Sequence, residues 1–218
     1  MKNLNSGEQL LNSACKDKWK RIGVNKRAGV VVPLFSVYSQ KSIGTGDLDD
    51  LRLLIDWAKE TGNSVIQLLP LNEVGSTFCP YDSISSFALE PMYASLKLKA
   101  YSLKLKAGLK TSHVDYRIKD VKIKLLRDIF NSEKKLEPNH EFKKFCEEFS
   151  YWLDDFSVYK AIKDCHNASP WYEWRDCYKN RDRGAIEEFA EEHKEEMIFH
   201  KWVQWTLFGQ FRAVKEYA

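Results

Sequence analysis

Two continuous apolar runs with one amphipathic stripe between them dominate the first third of the chain. Gly29 to Phe35 reads GVVVPLF, and Ser64 to Leu71 reads SVIQLLPL. Runs of this length without polar alternation predict strands buried on both faces, as in parallel sheets. Pro33 lies inside the first run and predicts an early strand end, because proline has no N–H for the ladder. Between the runs, Leu51, Leu54, Ile55 and Ala58 recur at helical spacing. Asp47 precedes that stripe as an N-cap, and Gly62 and Asn63 follow it as a stop. Gly44 and Gly46 fit a tight turn. A phosphate cradle would need a third glycine where Asp49 stands. Strand, helix, strand in this order predicts a right-handed βαβ unit.

The rest of the pattern is helical. Leu10, Leu11 and Ala14 predict a short helix near the start, capped by Ser6. Ile118, Val121, Leu125 and Ile129 form one stripe, and Phe142, Phe145, Phe149 and Trp152 form another. Phe156, Tyr159 and Ile162 continue the second stripe after an expected break near Asp154. Residues 167–184 read as a turn-rich loop in which Trp171 and Trp174 pack. Ile186 to Tyr217 reads as one long helix, acidic in its first turn and aromatic at Trp202, Trp205, Phe208 and Phe211. Two strands make no stable sheet alone, and a closed eight-stranded barrel takes about 250 residues. The pattern therefore predicts the front part of a longer chain.

Charge and cysteine content narrow the function classes. A net charge of +3 over 218 residues is too small to argue for nucleic acid. The basic residues concentrate in 97–135, twelve against four acids. There they alternate with leucine and few aromatics, which fits a solvated face better than a nucleic-acid groove. The five cysteines form no C-x-x-C pair and bracket no histidines at zinc spacing. An odd count of free thiols fits a reducing cytoplasm, and no cofactor or metal is expected. Cys165 and His166 are adjacent in sequence and point apart, so they are not read as a catalytic pair. No apolar run reaches the roughly 18 residues of a membrane span.

In parallel α/β folds, ligands bind beyond the carboxyl ends of the strands. The loop Asn72 to Pro91 is in that place after the second run. It carries Glu73 and the sequence Cys79-Pro80-Tyr81-Asp82.

Three segments in that order, RAGVVVPLFSVYSQKSIGTGDLDDL, IDWAKETGNSVIQLLPLNE and CPYDSISSFALEPMY, resemble the 4-α-glucanotransferases of glycoside hydrolase family 77. The family shows P-L-F-S-L, a G-x-G-[DE] turn, Q-[LV]-L-P-[LI] and S-P-Y-x-x-x-S-x-F-A-x-x-P-x-Y. The later segments YWLDDFSVYKAI, WYEW and WVQWTLFGQFRAVKEYA are similar to the family's helical insert. The resemblance implies an incomplete (β/α)8 TIM barrel: an N-terminal helix and linker over 1–26, the barrel start over 27–96, and a helical insertion over 97–218. It implies transfer of α-1,4-glucan segments between maltodextrins by a retaining double displacement, with two carboxyl groups about 5 Å apart. Those groups come from later barrel strands, so no Asp or Glu of this chain is assigned to catalysis. Tyr81 matches the tyrosine that stacks on the sugar, its ring offering an apolar face and a polar tip. Asp82 is a hydroxyl acceptor beside it. Cys79 stands where the family has serine and offers a weaker hydrogen-bond partner. Rival readings are a non-catalytic glucan-binding or scaffolding protein and a basic nucleic-acid module.

Overall fold

The computed structural model describes residues 6–75, 78–96, 114, 116–133 and 139–218. Most of the leucine–lysine repeat therefore lies outside the described residues. Two short helices, α1 (Ser6–Leu11) and α2 (Lys16–Ile22), lead into strand β1 (Gly29–Val32). Helix α3 (Leu48–Glu60) then crosses to strand β2 (Val65–Leu68). The strands pair in parallel, with Gly29 opposite Val65 and Val32 opposite Leu68. β1 stops before Pro33, as the proline requires, and a 3-10 turn follows over Leu34–Ser36. The strands depart from the sequence expectation in one respect. They are not buried on both faces, since Val31 is 64% and Val65 43% exposed. Among the described residues no element covers that face.

The turn into α3 needs both glycines. Gly44 has φ +71, and a Cβ on Gly46 would lie 2.1 Å from the Val37 carbonyl oxygen. Asp47 then caps α3 as expected. Its Oδ1 accepts from the Asp49 and Asp50 amides at 2.9 and 3.3 Å, and Asp50 Oδ2 accepts from the Asp47 amide at 3.1 Å. Asp50 is itself fixed by the Ser39 and Ser42 hydroxyls at 2.5 and 2.7 Å. Gly62, at φ +75, ends the helix.

The helical remainder is α4 (Ile118–Glu133), α5 (His140–Glu148), α6 (Ser150–Cys165), α7 (Asp176–Lys179), α8 (Arg183–Glu192) and α9 (Lys194–Tyr217). Two boundaries differ from the pattern reading. The break falls at Phe149, not near Asp154, whose carboxylate faces outward to the Lys201 ammonium at 2.5 Å and leaves α6 intact. The long helix is also two, separated at His193 (φ −111, ψ 26). Phe189 on α8 packs with Ile162 and Trp174, whereas Phe199 and Trp202 on α9 pack with Phe130 of α4. Met197 of α9 also packs on the first of these clusters. Trp174 is buried as expected, and Trp171 is 53% exposed.

The main core joins α3, α4, α9 and the short turn Pro91–Tyr93, through Leu48, Leu51, Met92, Leu126, Phe130, Trp202, Leu207 and Val214. Inside it lies the ammonium of Lys122, fully buried. It donates to the Met92 and Ala94 carbonyls at 2.7 and 3.0 Å and stands 3.4 Å from Asp47 Oδ2. Burial pushes the Lys122 pKa down, and Asp47 opposes the shift. Burial likewise raises that of Asp47, against the pull of Lys122. The pair thus ties the start of α3 to the Met92–Ala94 turn through α4.

Breaking a buried ion pair by removing one partner costs about 3 kcal/mol or more, because the other charge stays behind. Lys122→Met should lower the urea midpoint accordingly. An unchanged midpoint would mean the pair holds nothing together.

Candidate functional site

The loop that follows β2 folds back on itself as an irregular hairpin. Asn72 bridges Leu89 and Val74 bridges Ser83, both antiparallel. The Glu73 amide donates to Ala88 O and the Ile84 amide to Glu73 O, each at 2.8 Å. At the tip, the Asp82 amide donates to Cys79 O at 2.9 Å, closing a four-residue turn with Pro80 at its second position. Proline suits that position because its φ is already set. Phe78 enters the turn at φ +52, a left-handed conformation unusual for a bulky side chain, and stacks on Tyr116 at 4.5 Å.

Tyr81 projects from this tip and is 74% exposed. Cys79 and Asp82 are also exposed, so the turn places all three predicted residues on one solvent-facing tip. Its stem is the opposite. Glu73 and Glu90 are buried carboxylates, 1% and 0% exposed. Glu90 accepts from the Val74 amide at 2.9 Å and from the Met92 amide at 3.3 Å, and pairs with Lys119 at 2.9 Å. Burial raises the Glu90 pKa, and Lys119 works against that. Glu73 pairs with Lys160 of α6 at 2.9 Å. That pairing overcomes the effect of burial and raises the Lys160 pKa.

Helix α9 adds a third brace. The Gln204 amide donates to Leu89 O at 3.0 Å while its oxygen accepts from the Leu89 amide at 2.8 Å. Gln210 does the same for Ser95, at 2.9 and 2.8 Å. Each glutamine therefore replaces a missing strand partner, Gln204 for a residue of the loop and Gln210 for one just past the Pro91–Tyr93 turn. The sequence makes Asn72 and Glu73, at the end of the second strand, weaker sugar-contact candidates, whereas Glu73 is buried against Lys160; the sequence reading missed Lys119, Lys160, Gln204 and Gln210. Nothing in local spacing links them to the loop: even Lys119 is 29 residues from Glu90, and Gln204 is 115 from Leu89.

Two cavities lie elsewhere. A groove of about 1470 Å³ between α3, α4 and α9 is lined mainly by apolar groups such as Phe142, Trp202 and Trp205. A smaller one of about 360 Å³ reaches Glu73, Lys160, Asp164 and His200. Neither is lined by Cys79, Tyr81 or Asp82. Beside the smaller cavity, Asp164, Glu196 and His200 converge, with one ligating atom each within 4.8 Å of the others. Burial alone would lower the pKa of His200, but the two carboxylates overcome it and raise it. His200 and Arg127 hold Glu196 down to about 2. The spacing of Glu196 and His200, one helical turn apart, is the signal for this cluster that the sequence carries.

Residues 32–218 match the 4-alpha-glucanotransferase family. The chain belongs to that family. It is 33% identical over 220 residues to a 4-alpha-glucanotransferase of Chlamydia caviae, covering 95% of this chain and 41% of the relative. With the Thermus thermophilus 4-alpha-glucanotransferase it shares 31% over 185 residues, 82% of this chain and 36% of the relative. In fold it is similar to an amylomaltase from Streptococcus agalactiae in complex with acarbose. That likeness has TM-score 0.78 and 22% identity, covering 88% of this chain and 41% of the other. An amylomaltase from Corynebacterium glutamicum gives TM-score 0.68 and 20% identity, over 94% of this chain and 30% of the other. The chain spans about two fifths of the length of the Chlamydia relative. No helix among the described residues is long and apolar enough to cross a membrane.

Gln204→Ala removes two hydrogen bonds and leaves both main-chain groups of Leu89 without partners. A buried unsatisfied group costs about 1–3 kcal/mol, so the Leu89 amide should exchange with deuterium at least about tenfold faster, with little change across β1 and β2. Equal exchange in both proteins would remove α9 as a brace of the loop.

Proposed function

We propose that this chain forms the opening part of a retaining 4-α-glucanotransferase acting on α-1,4-glucans in the cytoplasm. In this reading β1 and β2 are the first two strands of a (β/α)8 barrel, residues 27–96 carry its first sugar-binding loop, and residues 97–218 are a helical insertion. The exposed Val31 and Val65 support it, since strands apolar on a bare face are what a barrel start presents before further strands pack on it. The observation that carries the proposal is Tyr81. A large aromatic ring that is three-quarters exposed gains nothing for stability, yet the loop beneath it is held by two buried ion pairs and a glutamine clamp. Rigid support under an exposed ring suits a platform for the apolar face of a sugar.

Asp82, next to it, supplies a hydroxyl acceptor. Cys79 supplies a thiol where the family has serine, so a polar contact there is weaker. The carboxylates that break and remake the glycosidic bond belong to other strands of the barrel. Glu73 and Glu90 are excluded from that role by geometry: each is sealed in the loop stem and bound to lysine.

Two measurements test this. The purified chain mixed with maltotriose should release no glucose and make no longer maltodextrin; turnover would put the reacting carboxylates inside it. With the chain joined to the rest of its catalytic domain, Tyr81→Ala should lower kcat/KM about tenfold, the equivalent of ~1.4 kcal/mol of lost binding. An unchanged value would remove Tyr81 from the sugar site.

A further inference from the structure

The cluster at the junction of α6 and α9 gathers three potential ligating groups around one buried ring nitrogen. His200 Nε2 lies 3.1 Å from Asp164 Oδ2 and 3.4 Å from Glu196 Oε1. The residue is 8% exposed, and Nε2 is shut off from solvent without an aligned hydrogen bond to any group. The ring nitrogen thus faces two carboxylate oxygens yet is aimed squarely at neither. In a four-coordinate site with bonds of about 2.0–2.1 Å, neighbouring ligand atoms sit about 3.3 Å apart. Both measured distances fall close to that edge length.

We propose that Asp164, Glu196 and His200 form a binding site for a first-row divalent transition-metal cation, with Zn²⁺ as the best fit. One imidazole nitrogen and two carboxylate oxygens are a borderline donor set that suits Zn²⁺ better than the all-oxygen cages of Mg²⁺ or Ca²⁺. Glu196 and His200 are one turn apart on α9 and present their side chains on one face. Asp164 comes from the last turn of α6. The fourth position opens towards the cavity of about 360 Å³ that Asp164 and His200 line, where water can complete the coordination. Access is through Asp164, whose side chain is 43% exposed.

Two cations already compete for these oxygens. Arg127 is bonded to Glu196 Oε1 and lies over the Phe199 ring, and Lys160 stands 4.0 Å from Asp164 Oδ1. Their charge weakens the site relative to a dedicated structural zinc centre, and both have second partners, Phe199 and Glu73, to keep them in place when the metal enters. Bound metal would clamp α6 to α9, the two helices that brace the loop stem through Lys160 and Gln204.

The test is titration of the chelator-treated chain with Zn²⁺ by calorimetry, and with Co²⁺ by visible absorption. One equivalent should bind, and Co²⁺ should give the intense d–d bands of a four-coordinate site without a thiolate charge-transfer band. Asp164→Asn and His200→Gln should each weaken binding by about tenfold or more, since changing even an outer-shell partner of a metal ligand costs about 10–100-fold. Asp164 is partly exposed, so its variant keeps the fold, which a matching thermal melt without metal verifies. Both variants retain all five free cysteines. Binding that persists unchanged in either of them, a thiolate band with Co²⁺, or no uptake at all would overturn the proposal.

Discussion

A single buried ammonium holds the start of this fold together. Lys122 enters the core from α4 and ends among two main-chain carbonyls and the Asp47 carboxylate. Desolvating a lysine is costly, and the arrangement offsets that cost by giving the ammonium an anion that is itself tied to the first turn of α3. The consequence is geometric. The N-terminus of α3, the turn after the loop and the helix that carries Lys122 meet at one point, and none can shift without exposing an unpaired charge. The apolar core around Leu48, Met92, Leu126 and Trp202 gathers at this point.

From that junction the structure divides its labour. The two-stranded sheet supplies direction, sending the chain out of β2 into the loop. The helices supply stiffness, each through a polar contact with a buried stem residue: Lys119 from α4, Lys160 from α6, Gln204 from α9. The result is a loop with a charged, sealed base and an exposed aromatic tip. Charge inside and aromatic surface outside is the reverse of an ordinary surface loop, and the proposed sugar platform rests on that inversion.

Much of this was legible in the sequence wherever the signal was local. Asp47, Pro33 and Gly62 each act through their own backbone neighbours, and each does what its type predicts. The turn Cys79 to Asp82 is likewise local, with proline where a turn wants it. The break between α8 and α9 was hidden because His193 is no helix breaker, and nothing in the local sequence marks the turn. The buried partners of Glu73 and Glu90 were hidden for the same reason. A lysine on an amphipathic stripe reads as solvated face until the fold shows what it faces, and Lys122 and Lys160 are both of that kind. The bare face of β1 and β2 shows the converse: their apolar runs predicted a covering layer that no described residue supplies.

Gln204 and Gln210 stand six residues apart on α9, and the two residues they grip, Leu89 and Ser95, are also six apart. Helix and loop therefore mesh like two teeth in a rack, over about 9 Å of helix axis. Both grips are on the main chain, so they are blind to which side chains the loop carries. The side chains are held as well, since Leu89 packs against the main core and the Ser95 hydroxyl donates to Asp49, and one residue gained or lost on either side would slip a tooth. The two grips fix the length of the segment from Leu89 to Ser95, while the exposed tip from Cys79 to Asp82 can be rewritten without loosening its mounting.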